Sequence, residues 1–525
     1  MRPTFLGFQA ARSGLVASQK ALDIVGNNVA NINTEGYTRQ RVDLISMSAS
    51  GVASRYAVGN TTLAGQGVYI SGVRQIRDPY LDARYREQSA YLGNLETVVA
   101  AYNDMENLFD DVTSAGLQDA MSKFMAQLQD VTTNTEKPEI ANSVLTSAKN
   151  LVQLVNSYNS KLDQLASQNQ TSLNVCVQNV NSILEKLSSL NKQIKDASLS
   201  NTTVDPVSGE RRMLGPYGPN ELYDDRNLLL DQLSVYGEVD VKSESDGTIT
   251  LTFGGTVVLS GTKADSLSLT QDTSGKNILT WRRSGTTFDA NEGAISSYVN
   301  ILEGKGGYAL TGENFFEGIE YYREIISSFA NTFATAFNDA NTIPILDGSG
   351  NPVLDGSGNP TYSGGALFKT SDGSADFTAG NIRISDEWVA NPQFILMSDA
   401  PSEGELANSN ILKMISMFND STLSFGSAGV PAQYTEFTGS FEGYLIHFQT
   451  KLGNQKDYYE GACASTTSVA LELLDSRDAV SAVSENEEAI NMMVYQKSYN
   501  AAARLITAVD EMLDVLINKM GRVGL

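Results

Sequence analysis

The sequence predicts an α+β, multi-domain fold with paired terminal coiled-coil helices, a central bundle of long helices and two inserted β-rich modules. Three observations carry this. Apolar residues recur in heptads at both ends of the chain, helical stripes fill much of the middle, and two Gly-punctuated stretches show strand-like runs. At 525 residues the chain exceeds what one core serves, since domains usually run roughly 100–200 residues.

The N-terminal stripe is Phe8, Ala11, Leu15, Ser18, Leu22, Val25, Val29 and Ile32; the C-terminal one is Met492, Tyr495, Tyr499, Ala502, Ile506, Val509, Leu513, Leu516 and Met520. Steps of three and four alternate in both, the seam of a left-handed helix pair. A polar line of Lys497, Arg504, Glu511 and Asn518 repeats every seven residues, and a second apolar row, Ala501, Leu505, Ala508, Met512 and Val515, flanks the C-terminal stripe. One partner helix does not cover so wide a face, and soluble monomers rarely leave more than a few hundred Å² of contiguous apolar surface bare. The two stripes are therefore expected to form an assembly interface with other chains. Short isolated helices are marginal in water, so the ends are expected to be largely disordered before assembly. Packing within a single chain is the competing reading of such stripes, and it suffices for the middle helices.

The Asn- and Gly-rich run from Gly26 to Tyr37 is expected to end the first helix, because these residues accept left-handed backbone. Beyond it the sequence turns strand-like, most clearly at Gly67-Val68-Tyr69-Ile70-Ser71-Gly72-Val73. Helical periodicity resumes after Asp78-Pro79 with Leu92, Leu95, Val99 and Tyr102. It continues through Leu173, Cys176, Val180, Ile183, Leu187, Leu190, Ile194 and Ala197, and again through Phe315, Ile319, Tyr322, Ile326, Phe329 and Phe333. Period-two alternation at Thr248-Ile249-Thr250-Leu251-Thr252-Phe253, with turn pairs Asp246-Gly247, Gly254-Gly255 and Ser274-Gly275, predicts a small antiparallel module. The expected divisions are a terminal coiled-coil domain of residues 1–35 with 486–525, a strand-like connector at 36–78, and a helical bundle from 79–236, 293–341 and 453–485. A β module occupies 237–292 and a second, looser one 342–452.

Catalytic raw material is scarce. His447 is the only histidine, in the strand-like context Tyr444-Leu445-Ile446-His447-Phe448, which leaves little for Ser/His, Cys/His or histidine-metal chemistry. No Gly-x-x-x-x-Gly-Lys-Ser/Thr loop or Gly-x-Ser-x-Gly elbow occurs. The adjacent acids Asp110-Asp111, Asp224-Asp225 and Glu487-Glu488 point about 100° apart on a helix and are expected to be solvated surface. The direct repeat at residues 345–352 and 353–360 offers Asp347, Ser349, Asn351 and Asp355, Ser357, Asn359, but it lacks the closing Glu of a calcium loop and reads as a pair of turns. Cys176 and Cys463 read as small buried hydrophobes. No catalytic, cofactor or metal residue is assigned, and no cofactor is expected. The excess of 61 Asp+Glu over 37 Lys+Arg, a net charge of −24, repels phosphate backbones and anionic lipid, so neither nucleic acid nor membrane is an expected partner. The first residues do not form a signal peptide, and no window approaches the roughly 20 apolar residues of a membrane span.

The run Ala21-Leu22-Asp23-Ile24-Val25-Gly26-Asn27-Asn28-Val29-Ala30-Asn31-Ile32-Asn33-Thr34-Glu35-Gly36-Tyr37 resembles the N-terminal signature of the flagellar rod, hook and hook-associated axial proteins. Thr38-Arg39-Gln40, the stretch from Gly67 through Arg77-Asp78 to Tyr85-Arg86, and Glu487-Glu488 through Leu513 resemble the hook-associated members of that family. Its signature residues fall here on Asn27, Asn28, Asn31, Asn33, Gly36, Tyr37, Arg39 and Gln40, with a fainter similarity at Tyr223 to Leu233.

The resemblance implies a non-enzymatic structural subunit at the junction between hook and filament. It also implies export through the flagellar type III apparatus without a cleavable signal, and an extracellular place. The partners it implies are further copies of the chain, the hook protein, the third hook-associated (filament-side adaptor) protein and an export chaperone. A hook or distal-rod protein is the nearest alternative, and an adhesin or carbohydrate-binding module at 342–452 a more distant one.

Overall fold

In a computed structural model, residues 6–46, 67–133, 137–200, 202–204, 211–213, 218–288, 291–345, 347, 351–356, 359–398, 408–426 and 436–519 are described. The chain begins with helix α1 (Leu6–Ala30), then the antiparallel pair β1 (Gln40–Ser46) and β2 (Val68–Gln75). Helices α2 (Pro79–Ala115), α3 (Leu117–Thr133) and α4 (Pro138–Ser200) follow. Asp78 caps α2 by accepting from the Tyr80 N–H at 2.9 Å, and Pro79 takes the first helical position, where its missing N–H costs nothing. At 63 residues α4 is about 95 Å long and forms the spine of the molecule. Its stripe from Leu173 to Ile194 is buried, as heptad spacing requires of a helix covered on one side.

After the short pair β3 (Thr202–Val204) and β4 (Arg211–Met213) comes α5 (Asn220–Ser234). A four-stranded antiparallel sheet then forms in the order β5 (Val239–Ser243), β6 (Ile249–Phe253), β7 (Thr256–Ser260), β8 (Lys263–Ala264), beside the hairpin β9 (Leu267–Gln271) and β10 (Asn277–Trp281). Gly254 and Gly255 sit at φ 51° and 73°, the two consecutive positive values that a two-residue hairpin turn demands. Ile249, Leu251 and Phe253 point inward, and Asn191 of α4 donates to the carbonyls of Ile249 and Gly261, fixing the sheet to the spine.

Helices α6 (Ala294–Glu303) and α7 (Ile319–Asn341) complete the bundle. Phe315, which periodicity assigned to the α7 stripe, lies outside the helix and is 65% exposed; α7 starts only after Gly318, whose backbone abuts the Ile301 carbonyl where no side chain fits. The next segment holds β11 (Thr342–Pro344) with β12 (Tyr362–Gly364), β13 (Phe368–Thr370) with β14 (Ile382–Ile384), α8 (Asp386–Ala390), α9 (Ser409–Met417), and β15 (Ser424–Phe425) with β16 (Phe437–Thr438). It is not a loose appendage. Phe333 of α7 packs against Phe124, Phe337, Phe368 and Phe441 with ring centroids 4.6–5.8 Å apart, and Phe368 meets Trp388 edge-on.

In the octapeptide repeat, Asp347 and Asp355 each accept the N–H of the Asn four residues on at 2.9 Å, closing two equivalent turns, and the Val353 and Thr361 N–H groups each donate to the carbonyl eight residues back. Ser349 and Ser357 lie outside the described residues.

The last elements are α10 (Phe441–Ser481) and α11 (Glu485–Asp514), followed by a π turn over Val515–Lys519. Residue 452, taken as the end of the second β module, falls inside α10. His447 is helical rather than strand-like, its ring stacked on Phe437 at 5.1 Å. A short apolar run reads equally as strand or buried helix, and here Ser440 decides by capping the helix through the Gly443 N–H. Cys176 is buried, which pushes its thiol up to about 11, and Cys463 is half-buried.

Candidate assembly interface

The two ends of the chain meet. α1 and α11 pack along one another, and α1 leads to Arg39, which pairs with Glu487 and, at 2.8 Å, Glu488 at the start of α11. The end of α1 therefore lies beside the beginning of α11, and the helices are antiparallel. Within the single chain α1 and α11 form a helical pair.

On α11 the positions turned toward α1 are Met492, Tyr495, Tyr499, Ala502, Ile506, Val509 and Leu513, all half-buried. Leu516 is in the π turn with its side chain outside the described set, as is all of Met520. On α1, Ala11, Ala17, Ser18, Ala21, Val25 and Asn28 are buried, Phe8, Leu15 and Leu22 half-buried, and Val29 and Ile32 exposed. The buried face of α1 is thus rotated slightly from the stripe read in the sequence, because β1 and β2 cover the helix as well as α11.

The second row stays bare. Leu505 is 49% exposed and Met512 58%, with Ile490, Met493, Val494, Ala501, Ala508 and Val515 also exposed. Glu488 is the only residue of α11 that is fully buried. An antiparallel two-helix coil covers about half of each helix, and this sequence is apolar over more than half.

The Asn-rich signature forms a polar collar at the base of the pair. The first helix ends at Ala30, inside the Gly26 to Tyr37 run as expected, and the left-handed residue is Gly36 at φ 78°. The asparagines also serve tertiary bonding. Asn28 donates to the Gln40 carbonyl at 2.9 Å and accepts the Gln40 N–H at 3.0 Å, a pairing that only a side chain carrying both donor and acceptor makes. Tyr37 donates to Asn28 Oδ1 at 2.8 Å and accepts from Asn27 at 3.2 Å; burial and the nearby Asp224 carboxylate push its phenol up to about 12. Asn31 donates back to the Asn27 carbonyl, Asn33 is exposed, and the Gln40 side chain accepts from Asn220 at 3.1 Å.

Other collar residues carry no local signal in the sequence. Asp224 accepts the Thr38 N–H at 3.1 Å and Gln75 Nε2 at 2.7 Å. Asp231 joins Arg86 at 2.7 Å to Arg477 at 2.6 Å, tying α2, α5 and α10 together. Glu488 and Asp224, expected to be solvated, are 1% and 8% exposed. Adjacency on a helix guarantees that two acids diverge, so one of each pair turns inward. For Asp110-Asp111 the side chains lie outside the described set.

Burial raises the Asp224 carboxyl to about 6, its bonds to Thr38 and the Arg77 charge offsetting only part of the cost of desolvation. A carboxyl whose folded value lies above its ordinary one favours folding most when protonated. Its contribution is full below about pH 4 and lost as pH rises through about 6. Melting temperatures of the wild-type chain should therefore fall from pH 4 to 6 relative to Asp224→Asn, which removes that slope; parallel curves for the two proteins would contradict it.

Among the described residues no group of three or more His, Cys, Asp or Glu is placed to hold a metal ion, and no helix is long and apolar enough to cross a membrane.

Known proteins resemble the chain along the same lines. Residues 8–38 match the flagella basal body rod protein family, and 478–519 the C-terminal region of the flagellar basal body rod FlgEFG proteins. The paired ends thus define the class, that of flagellar axial proteins. Residues 102–352 match the flagellar hook-associated protein FlgK helical domain. Flagellar hook-associated protein 1 of Bacillus subtilis is 30% identical over 99% of both chains; its counterparts in Salmonella typhimurium and Escherichia coli K12 are each 23% identical over 97% of this chain and 98% of theirs. The chain belongs to the flagellar hook-associated protein 1 family, and is a structural protein rather than an enzyme. The solved flagellar hook junction protein FlgK of Burkholderia pseudomallei shares the fold, with a TM-score of 0.56 over 76% of this chain and all of that one, at 14% identity.

Proposed function

We propose that the chain forms the junction between flagellar hook and filament by polymerising through α1 and α11. The observation that carries this is the bare apolar row of α11, which its own α1 leaves uncovered. Each large side chain on it gains roughly 1.5–3 kcal/mol when fully buried, so several together offset the ordering cost of joining. Cooperative addition at a growing tip follows.

The interface residues are Phe8, Ala11, Leu15, Leu22, Val25, Val29 and Ile32 with Met492, Tyr495, Tyr499, Ala502, Ile506, Val509, Leu513 and Leu516. Those of them buried or half-buried between α1 and α11 hold the row in place, and the exposed Val29 and Ile32 add to the surface left for other copies. In this reading the coil lies innermost, the bundle and its β modules face outward, and the neighbours are the hook protein on one side and the third hook-associated protein on the other. The subunit reaches this extracellular place through the flagellar export apparatus with a chaperone. Phe368 and Trp388, built into the bundle core, favour this reading over an appended adhesin at 342–452.

Deleting residues 490–525 should leave a soluble, folded body and cells with bare hooks. Normal filaments on cells expressing only that truncation would contradict the reading.

A further inference from the structure

The middle of the terminal coil is cationic throughout. α1 from Leu6 to Leu22 carries Arg12 and Lys20, α11 from Ala489 to Val509 carries Lys497 and Arg504, and neither stretch holds an Asp or Glu. All four cations are exposed, and none makes an ion pair among the described residues. In a chain of net charge −24 this is the reverse of the average surface.

The antiparallel pairing sets the charges in levels. Lys20 is ten residues before the end of α1 and Lys497 ten residues after Glu487, so both stand about 15 Å from the collar; Arg12 and Arg504 both stand at about 26 Å. Asp510 and Glu511, exposed, follow at about 35 Å, and Glu485 and Glu487 mark the collar itself. Asp23, also exposed, lies between the collar and the lysine level.

We infer that these levels fix the lengthwise register between copies, the surface taking a second copy of this chain displaced along the coil by about 20 Å. The inference rests on the proposed self-assembly through α1 and α11. With no displacement every level meets its own sign, and at about 10 Å arginines meet lysines. At about 20 Å the Asp510 and Glu511 end of one copy meets the Lys20 and Lys497 level of the next, and Glu485 and Glu487 fall between the lysine and arginine levels, about 5 Å from each. Apolar burial supplies the attraction but slides freely along a uniform row. The charges select where sliding stops.

The test uses the full-length protein as the sole copy in motile cells. Lys497→Glu alone and Glu511→Lys alone should each cut the number of filament-bearing hooks by at least about tenfold, and Lys497→Glu with Glu511→Lys should restore it. The purified single variants should keep the wild-type melting temperature, since both positions are exposed. Normal filament numbers in the single variants, or loss without recovery in the double variant, would overturn the register. The self-assembly reading is tested separately by Leu505→Ser with Met512→Ser, which removes apolar surface and leaves every charge in place.

Discussion

Leu505→Asp combined with Met512→Asp is expected to abolish filament attachment while leaving the isolated subunit as stable as the wild type. Both side chains are about half exposed in the single chain and face away from α1, so little packing is lost on substitution. Surface changes of this kind usually stay within about 0.5 kcal/mol. In an assembly the same positions are covered by other copies. Two contacts of roughly 1.5–3 kcal/mol each disappear, and two carboxylates enter an apolar seam, where an unpaired charge costs several kcal/mol more. The measurement is paired: melting of the purified subunit, and electron microscopy of hooks in cells carrying only the variant. A stable subunit with bare hooks is the expected combination, whereas filaments of normal number would remove α11 from the interface.

Arg39→Ala should be the most damaging single change at the collar. Glu488 is 1% exposed, one of its oxygens accepts from Arg39 at 2.8 Å, and the other has no hydrogen-bond partner among the described residues. Removing the guanidinium strands a buried carboxylate, a change that costs about 3–5 kcal/mol. The loss falls on the docking of the coil rather than on the bundle, because Arg39 joins β1 to α11 and its backbone N–H donates to the Ser481 carbonyl just before α11 begins. Hydrogen exchange should therefore speed up in α1 and α11 and stay slow in α4 and α7. Adding Glu488→Gln should recover most of the protection by making the buried group neutral. Equal acceleration across all four helices would instead place Arg39 in the global stability of the chain.

Much of this architecture was legible because it rests on periodicity. The residues of the stripe from Met492 to Leu513 are half-buried on α11, and the neighbouring row with Leu505 and Met512 was visible as surplus apolar surface. Hairpin turns such as Gly254-Gly255 were legible because two positive φ values leave glycine as the easy choice. The collar was not. The segment from Asn28 to Gln40, Asp224 and Glu488 meet from three distant parts of the chain, and a long-range hydrogen bond leaves no periodic trace. The resemblance marked Asn28, Arg39 and Gln40 without saying what they bond to. His447 misled because a short apolar run reads the same in a strand and in a buried helix.

The central claim is that α11 carries an apolar face which its own chain leaves open and other copies close. Its most direct test places a cysteine at Leu505→Cys in a background of Cys176→Ser and Cys463→Ser, and compares labelling by a thiol reagent in the purified subunit and in isolated hook–filament junctions. Rapid labelling of the subunit and strong protection in the junction is the expected result. Equal labelling in both states, with filaments of normal number on the cells, would contradict it.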